Sequence, residues 1–353
     1  MGVARPVPRP DRPGTRGEAR RARDVGLDLA EHAVTAGYEP SSDLRFGLVL
    51  ANKGRGAGPE ALDAGAAAVE RLGWHSVWVT DHLMVPDGPE AGEYGSMLEA
   101  LTSLTYVAAR HERVTVGTSV VVPAMRDSPL LAKELATLDV LSGGRLVVGV
   151  GASDRMDLPE YTNLGKADRF ARRGAYVDES IALWRHLWSG RTDPFAGEFH
   201  TLSGYVFLPL PTARDIPVWC GGRSERALRR AARLADGYHA SQTGPADLAG
   251  RLPMLASLAA DAGRALPTLS VRARVEFGAA ARDVYTLHGS AARMVDEVVR
   301  FAEAGLHELV LVFDAATPAQ VTAAVERFHE SVVEPFRERI AGARARQDGA
   351  VRA

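Results

Sequence analysis

Four short clusters in this 353-residue chain hold side chains that could do chemistry. Gly221-Gly222-Arg223-Ser224 follows the apolar run IPVWC (216–220) and precedes a helical stretch. Glycines at a strand end before a helix leave backbone N–H groups pointing outward, and the helix dipole adds partial positive charge. That suits a phosphate, and Arg223 could add a charge-assisted bond. The other reading is an ordinary tight turn with Ser224 as N-cap. Asp81-His82 stands just past a second apolar run, HSVWVT (75–80). Imidazole titrates near neutral pH, which suits it to proton transfer; equally, Asp81 could hold it as a structural histidine. Thr118 and Ser119, with Gly117, interrupt a third run, VTVGTSVVVP (114–123), where small residues suggest that something flat approaches the backbone. Ser153 closes the fourth, RLVVGVGAS (145–153), in the same way.

Composition removes several other chemistries. The formal net charge is −2 and charged residues are 24%, which gives no electrostatic case for nucleic acid or an anionic membrane. The single cysteine, Cys220, excludes an intramolecular disulfide and any multi-cysteine metal site, and a reducing cytoplasm is the default. Histidines do not fall at His-x-His or His-Glu-x-x-His spacing, so no metal site is expected. There is no Gly-x-Ser-x-Gly elbow. No apolar run approaches the roughly 18 residues of a spanning helix.

The elements that must position these clusters alternate along the chain. Strands are expected at 44–50, 75–80, 114–123, 145–153, 216–220, 238–241, 269–277 and 308–313, with helices between them. Several of these runs are apolar without clean alternation, as in a parallel sheet buried on both faces. Eight strand–helix units predict a (β/α)8 barrel whose chemistry sits at the C-terminal ends of the strands. The main rival, an open doubly wound sheet, wants a Gly-x-Gly-x-x-Gly turn after the first strand, and 51–58 lacks it. Helices are expected at 60–72, 96–110, 128–141 (Ser128 as N-cap, Pro129 in the first turn), 170–188, 225–235, 246–262, 291–304 and 318–340. Irregular insertions are expected at 84–95, 154–169 and 190–215, the last with a hairpin from 195–199 and 205–208. Residues 1–43 read as an extension outside the barrel: seven of the first 23 are arginine and four are proline. Within it, 25–36 could form one short amphipathic helix. Residues 44–340 form the barrel domain, and 341–353 read as a disordered tail.

TDH (80–82), GTSVVVP (117–123), LAKELATLDVLSGGR (131–145), VGVGAS (148–153), PVWCGG (217–222) and RRAARLADGY (229–238) together resemble the luciferase-like family of flavin- and deazaflavin-dependent oxidoreductases. The resemblance runs from about Leu44 to Arg337. Within the family, GTSV with Asp-His after the second strand is most similar to members using coenzyme F420. It implies hydride transfer between the deazaflavin and a small organic substrate, a cis peptide at Ser119-Val120 under the ring, and a homodimer through the helices near 96–110 and 128–141. The site residues it implies are His82 and Asp154 for proton transfer. For the cofactor they are Asp81, Thr118, Ser119, Val120, Ser153, Arg173, Gly221, Gly222, Arg223 and Ser224. Tyr161, Arg169, Tyr205 and His239 could line the pocket. Asp154 falls near a glutamate of the similar sugar-phosphate dehydrogenases, but their phosphate-binding lysine and arginine, and the tryptophan beyond Asp-His, are not evident. A sugar-phosphate substrate is therefore not expected. Two alternatives stay open: an FMN-dependent monooxygenase that uses oxygen, and a non-catalytic flavin-binding barrel.

Overall fold

A computed structural model describes residues 28–88, 91–280 and 284–351; the arginine-rich stretch 1–27 lies outside them. The strands, in chain order, are β1 (Arg45–Val49), β2 (Ser76–Val79), β3 (Thr115–Thr118), β4 (Leu146–Val150), β5 (Phe195–Ala196), β6 (Thr201–Leu202), β7 (Val218–Gly221), β8 (Gly237–Ser241), β9 (Thr268–Phe277), β10 (Thr286–Gly289) and β11 (Glu308–Val312). The order β1-β2-β3-β4-β7-β8-β9-β11 closes back on β1, every pair parallel. Phe46 sits opposite Leu309 at one junction and Tyr238 opposite Leu269 at another. This is the expected eight-stranded barrel with helices between strands. The barrel strands are largely buried on both faces; β2 and β4 have no exposed position.

Two indoles fill the barrel lumen. Trp78 and Trp219 pack with ring centroids 5.3 Å apart, among Val49, Val147, Val310 and Val312. Glycine faces each of them. A Cβ on Gly117 would stand 2.4 Å from Trp78, and one on Gly237 would stand 2.4 Å from Trp219. The Trp78 indole N–H donates to Ser76 Oγ at 2.7 Å, beside the buried Glu308. Burial raises the Glu308 pKa, although its bond with Ser76 opposes this. The packed lumen is a core, not a channel.

The structure departs from the expected elements at several places. The helix Ser128–Ser142 is capped by Asp127, not Ser128: the carboxylate accepts from the Leu130 N–H. Gly143 ends it in the left-handed conformation (φ 70°). The hairpin in the third insertion pairs β5 with β6, nearer its turn than the expected 205–208. The 154–169 insertion is largely helical, with a 3₁₀ turn Arg155–Asp157 and helices Leu158–Asn163 and Ala167–Phe170. An unexpected strand, β10, pairs along the overhang of the ten-residue β9. The closing helix has three parts: Pro318–Phe328, a π-turn His329–Val333, and Glu334–Val351, which carries helix beyond residue 340. Before β1, the helix Leu29–Thr35 is capped by Asp28 and places Leu29 and Ala33 in the main core.

Candidate active site

The C-terminal mouth opens into a cavity of about 1730 Å³. Ser119 and Val120, joined by a cis peptide, stand on its wall. The Val120 side chain lies against bare backbone. A Cβ at Gly151 would meet Val120 Cγ2 at 2.5 Å, and one at Gly221 would meet Cγ1 at 2.8 Å. Glycine at both positions is what lets the bulge after β3 stay seated against β4 and β7. Thr118, whose hydroxyl donates to the Gly149 carbonyl at 2.8 Å, ties β3 to β4 and does not line the cavity.

Behind the bulge lies a buried polar chain. Ser119 Oγ is 2.9 Å from His239 Nε2, and His239 Nδ1 is 2.9 Å from Ser270 Oγ. The His239 ring stacks on Trp78 at 5.1 Å, which joins the site to the lumen packing below. Burial, with Arg272 nearby, pulls the His239 pKa down to about 3, so it is a neutral hydrogen-bonding group at physiological pH. Arg272, on β9, donates to the Ser119 carbonyl at 2.7 Å and to Thr80 Oγ1 at 3.1 Å. It lines the cavity without a bonded carboxylate among the described residues. Nothing in the sequence marked it, because Arg272 alternates with buried Val271 and Ala273 like any strand residue.

The Gly221–Ser224 turn is also on the wall. Gly222 has φ +126°, which disfavours any other residue. Its N–H points at the His239 carbonyl at 3.4 Å, so it is not free. Ser224 Oγ caps the helix Glu225–Leu234 through the Ala227 N–H. The N–H groups of Glu225 and Arg226, at the first two helical positions, have no acceptor within the helix. The candidate phosphate donors therefore lie one step further along than the glycines. Arg223 is exposed beside them.

His82 is not on that cavity wall. Its Nδ1 is 2.8 Å from Glu160 Oε2, and its ring lies 4.7 Å from Tyr94. Glu160 is 1% exposed and also accepts from the Leu83 N–H at 2.5 Å and the Met84 N–H at 3.0 Å. Burial pushes the His82 pKa down, but the Glu160 carboxylate outweighs it and the net shift is upward. Burial likewise works against the Glu160 charge, and its bonds to His82 and Leu83 hold its pKa low. Glu160 is thus a positioning residue that the sequence reading missed. Its one signal was Pro159 opening a short helix in the insertion.

Asp81 turns away from the cavity. It accepts from Arg126 at 2.6 and 3.2 Å and from the Val122 N–H at 3.3 Å, which pins the segment after the bulge. Ser153 lines the cavity with φ 62°, uncommon without glycine, and donates to Tyr161 Oη at 3.2 Å. Asp154 is exposed and caps the turn Arg155–Asp157; its own N–H donates to Asp157 Oδ2 at 2.8 Å. Arg173 lines the cavity, bonds the Phe170 carbonyl at 2.8 Å, and keeps a buried, unpartnered Nε. Of the remaining candidates, His239 alone lines the cavity. Arg169 bonds the Arg126 carbonyl at 2.8 Å, Tyr161 is buried, and Tyr205 bonds His186 at 2.6 Å.

Comparison with known proteins places this geometry. The family model described as luciferase-like monooxygenase matches residues 44–293. Relatives include the F420-dependent glucose-6-phosphate dehydrogenase of Nakamurella multipartita, 35% identical over 188 residues, 51% of this chain and 52% of that protein. The protein of the same name from Microbacterium testaceum is 34% identical over 201 residues, 55% and 56% of the two chains. The chain spans about half the length of the curated relatives it matches. Among solved structures, an F420-dependent secondary alcohol dehydrogenase in complex with an F420-acetone adduct aligns with TM-score 0.69 at 20% identity, covering 83% of this chain and 99% of that one. The FMN-bound oxygenating constituent of 3,6-diketocamphane monooxygenase from Pseudomonas putida aligns with TM-score 0.66 at 13% identity, covering 82% and 98%. These two structures share its fold. With the family match covering most of the barrel, the chain belongs to the luciferase-like monooxygenase family.

Proposed function

We propose that the protein is an oxidoreductase that moves a hydride between the deazaflavin coenzyme F420 and a small organic substrate. The observation that carries this is the bulge at Ser119-Val120, seated on Gly151 and Gly221 at the rim of a large cavity. It offers a planar ring a support that any Cβ at those glycines would dislodge. The unpartnered Arg173 Nε and the carboxylate-free Arg272 suit an anionic, hydrogen-bonding cofactor. The relatives that are F420-dependent dehydrogenases support the deazaflavin over FMN. No described helix is long and apolar enough to cross a membrane.

When bound, F420 supplies a carbon, C5, that takes or gives hydride. The chain does the rest. Ser119 and Val120 support one ring face. Arg272, held by the Ser119 carbonyl and Thr80, offers its remaining N–H groups and positive charge to electron-rich atoms. The first-turn N–H groups of Glu225 and Arg226 take the phosphate. His82, oriented by Glu160, would accept the O–H proton of an alcohol substrate, or return it in the reverse direction. Reconstitution tests the reading directly. The protein should take up F420 in preference to FMN, seen as the deazaflavin absorption band after gel filtration, and turn over without oxygen. Uptake of FMN with oxygen consumption overturns it in favour of a monooxygenase.

We also propose a homodimer. Tyr106 on the helix Ala100–Arg110, and Leu130, Val140 and Leu141 on Ser128–Ser142, are exposed apolar side chains on the two helices expected to meet a second copy. Light scattering at micromolar concentration should report twice the chain mass, and Leu130→Glu with Leu141→Glu should halve it. A wild-type monomer overturns the proposal.

A further inference from the structure

The outer cavity carries more positive charge than one phosphate requires. Nine arginines line it against three carboxylates, although the whole chain has net charge −2. Some are engaged: Arg230 with Asp178 and the Gly174 carbonyl, Arg229 with Glu225, Arg172 with Glu198. Among the described residues, the guanidinium groups of Arg155, Arg223, Arg226 and Arg233 have no hydrogen-bond or ion-pair partner. Arg226, Arg229, Arg230 and Arg233 lie on one helix at spacings of three, four and seven, an arc of about 100°. The opposite face buries Ala227, Leu228, Ala231 and Ala232. Like charges three and four residues apart destabilise a helix, so the fold itself does not call for this row.

The row starts where the candidate phosphate donors end. From Arg226 to Arg233 it runs seven residues, about 10 Å along the helix. An anion anchored at the Ser224 end and extended along the helix would meet positive charge throughout. We infer that the row binds the oligoglutamyl tail of F420, a chain of γ-linked glutamates with a free carboxylate on each unit. A γ-linked unit, two bonds longer than an ordinary residue, spans about 6 Å when extended. Two units therefore cover the row. FMN ends at its phosphate and offers these arginines nothing, so the row selects between the two cofactors at a distance from the ring. This inference rests on the F420 reading above.

Fluorescence titration with three ligands separates the two claims: the deazaflavin riboside, its phospholactyl form without glutamate, and the form with two or more glutamates. At low salt the tailed form should bind about tenfold more tightly than the tail-less phospholactyl form, from two or so partly exposed charge pairs. The gap should close as ionic strength rises toward 0.5 M. Arg233→Glu should narrow it and leave the tail-less form's affinity as in the wild type; that side chain is exposed and lies about two helical turns beyond the phosphate donors, and an unchanged thermal melt certifies the fold. Equal wild-type affinity for tailed and tail-less forms overturns this inference alone. Failure of every deazaflavin to bind, with FMN binding instead, overturns the F420 reading and this inference with it.

Discussion

Replacing His82 by Asn should lower kcat by about 10²–10⁴-fold, the range for loss of a general acid–base, and leave F420 affinity close to wild type. The affinity should survive because His82 stands apart from the cavity wall formed by Ser119, Val120 and the Ser224 turn. Glu160 acts through His82, and pH separates its role from mere packing. The carboxylate raises the His82 pKa against burial. In the direction of alcohol oxidation His82 must be neutral, so the rate should climb as pH rises through that raised value. Glu160→Gln removes the charge, and the limb should move to lower pH with a loss in kcat. A variant with an unmoved limb would mean that another group titrates, and a fully active His82→Asn protein would make His82 a loop residue. Stability follows the same linkage. A His raised on folding contributes stability that is complete below its unfolded value near 6.5 and is lost as pH climbs through the folded value. Glu160, lowered on folding, contributes above its unfolded value and loses that contribution as pH falls through the folded one.

What was legible in the sequence followed from local pattern. The barrel strands are short, mostly apolar runs, and each observed strand lies within or beside the run expected for it. Gly221, Gly222 and Ser119 could be singled out because small residues at strand ends have few other uses; Val120 and the cis peptide were implied by the family resemblance alone. The pairings were not legible, since they join residues far apart in the chain. Glu160 is 78 residues from His82, and its burial exists because the loop after β2 folds over it. Asp81 looked like a cofactor contact for its place beside His82, yet its partner is 45 residues away. Asp154 looked free to donate a proton, but its carboxylate caps a turn that the insertion was not expected to contain. β10 was missed because it completes no barrel position; it pairs along a β9 that outgrows its neighbours.

The second large effect should come from that Asp81–Arg126 pair. Arg126 holds Asp81 at two nitrogens and reaches Glu99 at 2.7 Å, with 12% of its own side chain and 1% of Asp81 exposed. Asp81 in turn bonds the Val122 N–H, three residues from the cis peptide's Ser119. The pair therefore fastens the bulge to the end of β2, while Glu99 fastens the helix Ala100–Arg110 to the same guanidinium. Arg126→Leu strands a desolvated carboxylate. Breaking a buried pair from one side costs about 3–5 kcal/mol, whereas removing both partners costs far less. Urea unfolding of Arg126→Leu should show a loss in that range, and Asp81→Asn with Arg126→Leu should recover much of it. Arg126→Lys keeps the charge but not the two-pronged fork, so it should fall between the single variant and the wild type. Cofactor affinity should drop in Arg126→Leu, because the bulge that supports the ring is no longer tied down. If the double variant is as unstable as Arg126→Leu, the cost is lost packing and not a stranded charge. If affinity is untouched in a folded Arg126→Leu protein, Val120 holds its place through Gly151 and Gly221 alone.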